Sequence, residues 1–311
     1  PRPDHIRKAD YDTRKLDLPG LKLLGERQLA FLEDWSDDWQ GADMKVVLSQ
    51  TPFCGAAHMH GGPTKRLHAD LDCNGWPQTG RDKALRAMRK GFACHLAGDQ
   101  HLATLLQHGI DEFGDGPWSL VSPAIVNSIY GRFWHPADEK PGGNPPADSP
   151  LVYTGEYFDG FHNRITMYGY ANPDTPENRK SHGAGFMIAR FNKKDRTITA
   201  ECWPRDADLS KPGARQFAGW PKVIAQMDNY NPPSWGMLGA LTFNRSKPVV
   251  QLIDEETSEI LYTLRIKGTT FTPHAPKGRR LTVKAGIDAA DTLVIEATSV
   301  DTAEPIHVTL P

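Results

Sequence analysis

Two stretches of the chain repeat apolar residues at the spacing of an α-helix. The first covers residues 25–39, and the second covers residues 80–90 and ends at Gly91. Charged side chains occupy the outer face of each stretch. The apolar positions are Leu29, Leu32, Trp35 or Ser36, and Trp39 in the first stretch, and Ala84, Leu85 and Met88 in the second. Both stretches are therefore predicted to be amphipathic helices.

Short apolar runs bounded by turn residues predict strands on either side of the second helix. Residues 44–49 form one such run and residues 92–97 form another. The order of strand, loop, helix and strand is that of a β-α-β unit. The loops after Ser49 and after Ala97 are then expected to open on one edge of a sheet, which is where α/β folds bind ligands.

Strand patterns dominate the rest of the chain. Residues 117–126 are predicted to form a strand and a turn, and residues 136–150, which contain five prolines, an exposed loop or linker. From residue 151 onward apolar and polar residues alternate, most clearly in a hairpin predicted at residues 185–203. The last segment, residues 247–311, has the pattern of a small β-sandwich.

These patterns predict an α/β (α+β) fold in three parts. Residues 1–22 form an irregular lead-in. Residues 23–246 form an α/β domain that includes the loop at residues 136–150, and residues 247–311 form a small β-rich region.

Composition narrows the class of partner. The 311 residues carry a formal net charge of −2 and the pI is near 6.7, so no nucleic acid is expected and a small molecule is favoured. No apolar run reaches the roughly 18 residues of a membrane span. The four cysteines show no CxxC spacing. Cys94 alternates with His95 along a strand, so its thiol is predicted to face the core.

The sequence GDQH after the strand at residues 92–97 offers the first candidate chemistry. A carboxylate at Asp99 and an imidazole at His101 can converge on one cation, because side chains in a turn need not alternate as they do on a strand. The alternative is that Asp99 caps the following segment, residues 102–108, and that His101 lies on the surface.

A second candidate lies in the long polar loop at residues 53–79, which is longer than compact domains usually contain without a functional reason. His58 and His60 have the HxH spacing of a metal-binding pair, but in a Gly-rich loop two solvated histidines are the favoured alternative. Oxygen-bearing side chains at alternate positions follow, although without the Gly and Glu of an EF-hand loop. They are Asp70, Asp72 and Asn74.

The chain contains no GxSxG elbow, no GxxxxGK[ST] phosphate loop and no HExxH pair. Five segments carry a more specific signal: LLGERQLAFLEDW at 23–35, KVVLSQTPF at 45–53, DLDCNGWPQTGRDKALRAM at 70–88, HLAGDQHLATLLQHG at 95–109, and GFMIARFNKKDRTITAECWPR at 185–205. In this order they resemble the C-terminal half of PhoD-like phosphatases, the alkaline phosphatase D branch of the calcineurin-like metallophosphoesterases. The resemblance covers roughly residues 20–205.

The resemblance implies part of a four-layer αββα sandwich with a metal cluster at the sheet edge. It also implies hydrolysis of a phosphate mono- or diester by a metal-activated hydroxide, which needs no side-chain nucleophile. The ions implied are divalent or trivalent, namely Ca, Fe, Zn or Mn. Export from the cytoplasm is common among proteins of this kind, so an exported location is favoured.

The same resemblance assigns roles to individual residues. Asp99 and His101 stand in the last metal motif, with His101 as the catalytic histidine. Gln50 occupies the strand end where many relatives carry a metal-binding histidine, and His58 or His60 is a substitute ligand. The candidate substrate-binding residues are Asn74, Trp76 and Arg81, with Lys65 and Arg66 as further cations for a phosphate.

The early carboxylate motifs that complete such a site are absent from the first 90 residues. We therefore expect the chain to be the C-terminal part of a longer phosphatase, with the missing N-terminal half as its partner and with apolar surface that favours association. The alternative is a non-catalytic β-rich binding or structural module that keeps the scaffold. The first hypothesis expects Asp99 and His101 at the rim of an open cleft, and the second expects them hydrogen-bonded into the fold.

Overall fold

The computed structural model describes residues 4–60, 65–125, 132–172, 183–300 and 304–311. Within these ranges the fold is mixed α/β, with few helices and many strands arranged in several sheets. None of the helices found there is both long enough and apolar enough to cross a membrane.

The helices are α1 at Glu26–Asp37 and α2 at Gln78–Lys90, with short 3-10 helices at Thr13–Leu16 and Gln226–Asn229. The strands are, in chain order, β1 His5–Ile6, β2 Val46–Leu48, β3 Ala69–Asp70, β4 Cys94–Ala97, β5 Ala103–His108, β6 Trp118–Val121, β7 Gly155–Phe158, β8 Arg164–Ala171, β9 Gly185–Asn192, β10 Thr197–Pro204, β11 Lys222–Ala225, β12 Gly236–Met237, β13 Leu241–Phe243, β14 Val249–Asp254, β15 Ile260–Arg265, β16 Thr270–Phe271, β17 His274–Ala275, β18 Leu281–Gly286, β19 Leu293–Thr298 and β20 Ile306–Val308.

A six-stranded sheet in the order β2-β4-β6-β5-β8-β7 organises the α/β part. Strands β2, β4 and β6 are parallel to one another, and β5, β8 and β7 add antiparallel neighbours. Because α2 lies between the parallel neighbours β2 and β4 in the sequence, the predicted β-α-β unit is confirmed.

The six-stranded sheet is covered on both faces. On one face, Leu85 and Met88 of α2 and Leu32 of α1 form an apolar core with residues such as Phe53. On the other face lies the three-stranded sheet β11-β10-β9, where Cys202 packs in one cluster with Cys94 and other apolar residues of the larger sheet. Strands β9 and β10 pair from Gly185↔Pro204 to Asn192↔Thr197, so the predicted hairpin is confirmed.

Residues 102–108 contradict the alternative in which Asp99 caps this segment. Residues 103–108 form strand β5, all six of them are buried, and β5 pairs with β6 and β8. A strand covered on both faces carries apolar residues at successive positions, so over a short run its pattern is indistinguishable from that of a buried helix.

The C-terminal β-rich region consists of small sheets around a shared core. A four-stranded sheet has the order β15-β14-β18-β19, and shorter sheets pair β16-β13-β20 and β12-β17. Strands β12 and β13 precede residue 247, so the region begins earlier along the chain than the alternation pattern indicated. Trp39 and Phe92 of the α/β part pack in the same core, and the Trp39 indole N–H donates to the carbonyl of Thr263 at 2.8 Å.

A buried lysine closes the carboxyl end of α1. The Lys45 ammonium donates to the carbonyl oxygens of Trp35 and of Ser36, the latter at 2.8 Å. It also lies 4.9 Å from the ring centroid of Trp35 and 4.6 Å from that of Trp39. Burial lowers the pKa of Lys45 to about 8, so the group is still mainly charged at neutral pH and complements the helix dipole.

Replacing this lysine by an apolar residue of similar length is expected to destabilise the fold. In Lys45→Met the two helix-end carbonyls lose a charged donor and the two indole rings lose a cation, which together cost about 2–3 kcal/mol. Urea unfolding at pH 7 measures this. Lys83→Met, at an exposed position of α2, is the control and should stay within about 0.5 kcal/mol of the parent. An unchanged unfolding midpoint for Lys45→Met would contradict the assigned role.

Candidate functional site

The carboxyl ends of the parallel strands meet at one edge of the six-stranded sheet. The Gly98 N–H, just after β4, donates to the Gln50 carbonyl, just after β2, at 3.2 Å. The Ser122 N–H, just after β6, donates to the Ala97 carbonyl at 2.8 Å. The loops after β2 and β4 therefore open on the same edge, as the β-α-β pattern predicted.

Gln50, Asn74, Trp76 and Asp99 line one open groove at this edge, with a volume of about 510 Å³. The groove thus brings together four of the predicted site residues. Its other lining residues are Leu21, Lys22, Leu23, Thr51, Leu71, Asp72, Cys73 and Pro77. The loop at residues 53–79 supplies much of this wall, and its role as an active-site loop stays a prediction.

Two non-glycine residues of the GDQH turn adopt left-handed backbone conformations. The φ angle is +65° at Asp99 and +53° at His101, a region that asparagine, aspartate and histidine enter more readily than most residues. Between them, Gln100 is buried, and its side-chain amide donates to the Cys54 carbonyl at 2.9 Å. The anchored Gln100 holds the turn so that Asp99 is exposed in the groove.

His101 is half-buried and does not line that groove. Its carbonyl accepts the Arg132 N–H at 3.3 Å, and the Arg132 guanidinium forms an ion pair with the buried carboxylate of Asp70. The His5 imidazole lies 3.7 Å from the same carboxylate. The structure therefore connects His101 through Arg132 to Asp70, which is committed to structural contacts.

The HxH pair lies away from Asp99. The His58 ring stacks on Trp134 with centroids 4.4 Å apart, and its Nδ1 accepts the His135 N–H at 3.1 Å. The buried His60 ring meets the edge of the His5 ring at 4.5 Å. Burial is the main cause that lowers the pKa of His58 to about 3 and that of His60 to about 4, so both are neutral at pH 7. Neither lines the groove with Asp99.

Arg81 occupies the interior rather than the rim on which a phosphate would bind. It is 1% exposed, and its guanidinium donates to the carbonyls of Phe53 and Gly109, each at 3.0 Å. It also pairs with Asp82 at 2.7 Å. The side chain leaves the first turns of α2 toward the sheet, so the sequence prediction of a phosphate contact is wrong for the geometry observed.

The other polar candidates combine exposure with structural contacts. The Asn74 side-chain amide donates to the Thr51 carbonyl at 3.1 Å, and the Trp76 indole donates to the Leu71 carbonyl at 2.8 Å. Arg66 donates to the His135 carbonyl at 2.7 Å, and Lys65 is exposed. Asn74 is thus held in the groove wall by the segment just after β2, and Trp76 by its own loop.

A buried polar group that the sequence pattern did not reveal lies beneath the site. His95 is fully buried, and its ring nitrogens lie 2.8 Å from the Ser49 hydroxyl and 2.8 Å from the Ser119 hydroxyl. Burial lowers its pKa to about 3, so the ring is neutral. The signal available in the sequence was a histidine inside a predicted strand, with Ser49 at the end of one neighbouring run and Ser119 near the start of the other. Cys94 faces the core on the other side of the sheet, between the six-stranded and three-stranded sheets, so its predicted core position is confirmed.

The donor set of the groove favours a hard cation. Two carboxylates, Asp72 and Asp99, and two side-chain amides, Gln50 and Asn74, line it, and oxygen ligands of this kind suit Ca²⁺ or Mn²⁺ better than Zn²⁺. No three His, Cys, Asp or Glu side chains lie close enough to form a metal cluster within the part of the chain that the structure covers. The residues therefore fit a hard cation that needs further ligands.

Comparisons with protein-family models, with curated proteins and with solved structures found no match to this chain.

The buried histidines predict a strong loss of stability in acid. His58 and His95 have an ordinary pKa of 6.5 that falls to about 3 in the folded chain. Below pH 6.5 the unfolded chain binds protons that the folded chain does not, so the free energy of unfolding falls as pH decreases toward 3. Each such histidine contributes a slope of up to about 1.4 kcal/mol per pH unit.

His95→Gln tests this, since an amide keeps partners for both serines but does not titrate. Urea unfolding between pH 6.5 and 4 should show a shallower pH dependence than in the parent, by up to about 1.4 kcal/mol per pH unit. His162→Gln, at an exposed position, should follow the parent. Parallel curves for His95→Gln and the parent would exclude a buried neutral His95.

Proposed function

We propose that this chain is part of a metal-dependent phosphoesterase whose site is the groove around the GDQH turn. The observation that carries the proposal is the backbone of that turn, where Asp99 and His101 both hold positive φ angles just beyond a buried parallel strand. Strained backbone of this kind concentrates at functional sites. The groove beside it opens where parallel sheets bind ligands.

Asp99 and Gln50, which both line the groove, would hold a cation there. His101 is the second residue of the proposed GDQH metal motif. A bound metal ion supplies a Lewis acid and a water of lowered pKa. Trp76 and Asn74 line the groove for a phosphate ester, and the exposed Lys22, which pairs with Glu26 at 2.5 Å, would have to exchange that partner to contact the ester. His101, the last residue of the turn, is the proposed proton donor or acceptor; it is half-buried and does not line the groove, so this role requires its side chain to turn toward a bound ligand.

The layers observed support the same class of enzyme. We infer that the helices, the six-stranded sheet and the three-stranded sheet are three layers of a PhoD-like αββα sandwich. Strand β2 is an edge strand, its last residue Leu48 is 74% exposed, and Phe31 of α1 is 69% exposed. In this proposal, further polypeptide pairs with that edge next to Gln50 and brings the remaining metal ligands.

The test measures metal binding and hydrolysis of an aryl phosphate monoester and diester, with this chain and with the full product of its gene. Mn²⁺ and Ca²⁺ should bind, and the full product should hydrolyse at least one ester. Asp99→Asn keeps a residue that tolerates positive φ and removes the charge, and His101→Ala removes the imidazole. Each should lower kcat/KM by about 100-fold or more.

His162→Ala is the matched control, because His162 is an exposed histidine with a φ of +64° outside the groove. It should keep the parent's metal binding and rate. If Asp99→Asn and His101→Ala also keep them, the GDQH turn is not the site. If the full gene product neither binds metal nor hydrolyses either ester, the phosphoesterase function is excluded and the chain is a non-catalytic binding or structural module.

A further inference from the structure

A second groove lies near the opposite ends of the parallel strands and shares no lining residue with the groove around Asp99. Its volume is about 440 Å³. The groove is bounded by strands β5 to β8 and by the segment that follows β11. Its lining residues are Gln107, Phe113, Gly114, Trp118, Asn144, Glu156, Thr166, Tyr168, Asp228, Asn231 and Pro233. The proposed phosphoesterase function does not involve this groove.

Stacked aromatic rings form part of its wall. Trp118 on β6 and Tyr168 on β8 stack across the intervening strand β5, with ring centroids 4.2 Å apart and planes at 27°. Phe113 adds a third aromatic side chain to the lining. An aromatic face carries a negative quadrupole, so it attracts a cation placed over it.

The ionisable side chains of the groove are acidic. Glu156 and Asp228 line it, and among the residues that the structure describes no lysine, arginine or histidine does. The Tyr168 pKa is raised mainly by burial and further by the negative charges of Asp228 and Glu156. Both carboxylates therefore lie near the same phenol. This charge disfavours a phosphate or other anion and favours a positively charged ligand.

Both carboxylates are held in place by hydrogen bonds, one from the loop at residues 136–150 and one from the end of β11. Glu156 accepts the Asn144 side-chain amide at 2.9 Å, and Asp228 accepts the Ala225 N–H at 2.8 Å. The groove therefore presents its negative charges from two different elements, one on the edge strand β7 and one in the 3-10 helix at Gln226–Asn229.

One buried polar atom in the wall has no partner. Trp118 is 9% exposed, and its indole N–H has no hydrogen-bond acceptor among the residues described. A buried donor without an acceptor carries a free-energy cost, and such groups are rare in folded proteins. A ligand oxygen that enters the groove beside Trp118 would remove this cost.

We propose that this groove binds a small organic cation, an alkylammonium group that also carries a hydrogen-bond acceptor such as a hydroxyl. The cation lies over the stacked aromatic rings and is balanced by Glu156 and Asp228. The hydroxyl oxygen accepts from the Trp118 indole. A compact ligand of this kind fits the volume of about 440 Å³ with room for ordered water.

Choline and its neutral isostere, in which carbon replaces the quaternary nitrogen, test the proposal in a matched pair. Titration calorimetry should show choline binding at least about tenfold more tightly than the isostere, because only choline gains the aromatic and carboxylate contacts. Quenching of tryptophan fluorescence on choline binding should give the same affinity.

Glu156→Gln should weaken choline binding about fivefold or more while leaving the weak binding of the isostere unchanged. Glu156 is a half-buried residue on an edge strand, so the variant is expected to fold. Glu296→Gln, an exposed change on β19, is the control. Equal affinity for choline and the isostere, no binding of either, or binding of glucose in place of choline would each overturn the proposal. None of these outcomes depends on phosphatase activity.

Discussion

The alignment of the three parallel strands around His95 determines where the candidate site lies. His95 pairs in register with Val47 of β2 and with Ser119 of β6. Its ring, neutral because it is buried, is held between the hydroxyls of Ser49 and Ser119. A buried polar group with both partners satisfied favours one register, since a slip of one residue would leave it unpaired. With that register set, the loops carrying Gln50 and Asp99 emerge side by side.

The two faces and the edge of the sheet then have distinct roles. Helices α1 and α2 cover one face and the hairpin sheet covers the other, so the parallel strands are buried as parallel strands usually are. The exception is the edge at β2, where Leu48 and Phe31 remain exposed next to the candidate site. An exposed apolar strand edge can pair with further polypeptide. In the proposed function, such a pairing at β2 brings the remaining metal ligands to the groove.

The sequence predicted the regular elements better than the site. Helical spacing located α1 and α2, and alternation located the hairpin of β9 and β10, because both patterns depend on residues close in the chain. Strand β5 was ambiguous because both its faces are buried. Side-chain direction in loops depends on distant partners. Arg81 therefore proved to be internal, and His58 proved to be stacked on Trp134 away from Asp99. The Ser49–His95–Ser119 group required three strands in register, which no local pattern shows.

A crystal structure of the protein grown with Mn²⁺ and recorded at a wavelength where manganese scatters anomalously tests the central claim most directly. The account predicts an anomalous peak in the groove at the carboxyl ends of β2 and β4, within about 2.0–2.4 Å of an Asp99 carboxylate oxygen. A groove without a peak at saturating Mn²⁺, or a peak confined to residues outside the groove, would contradict it.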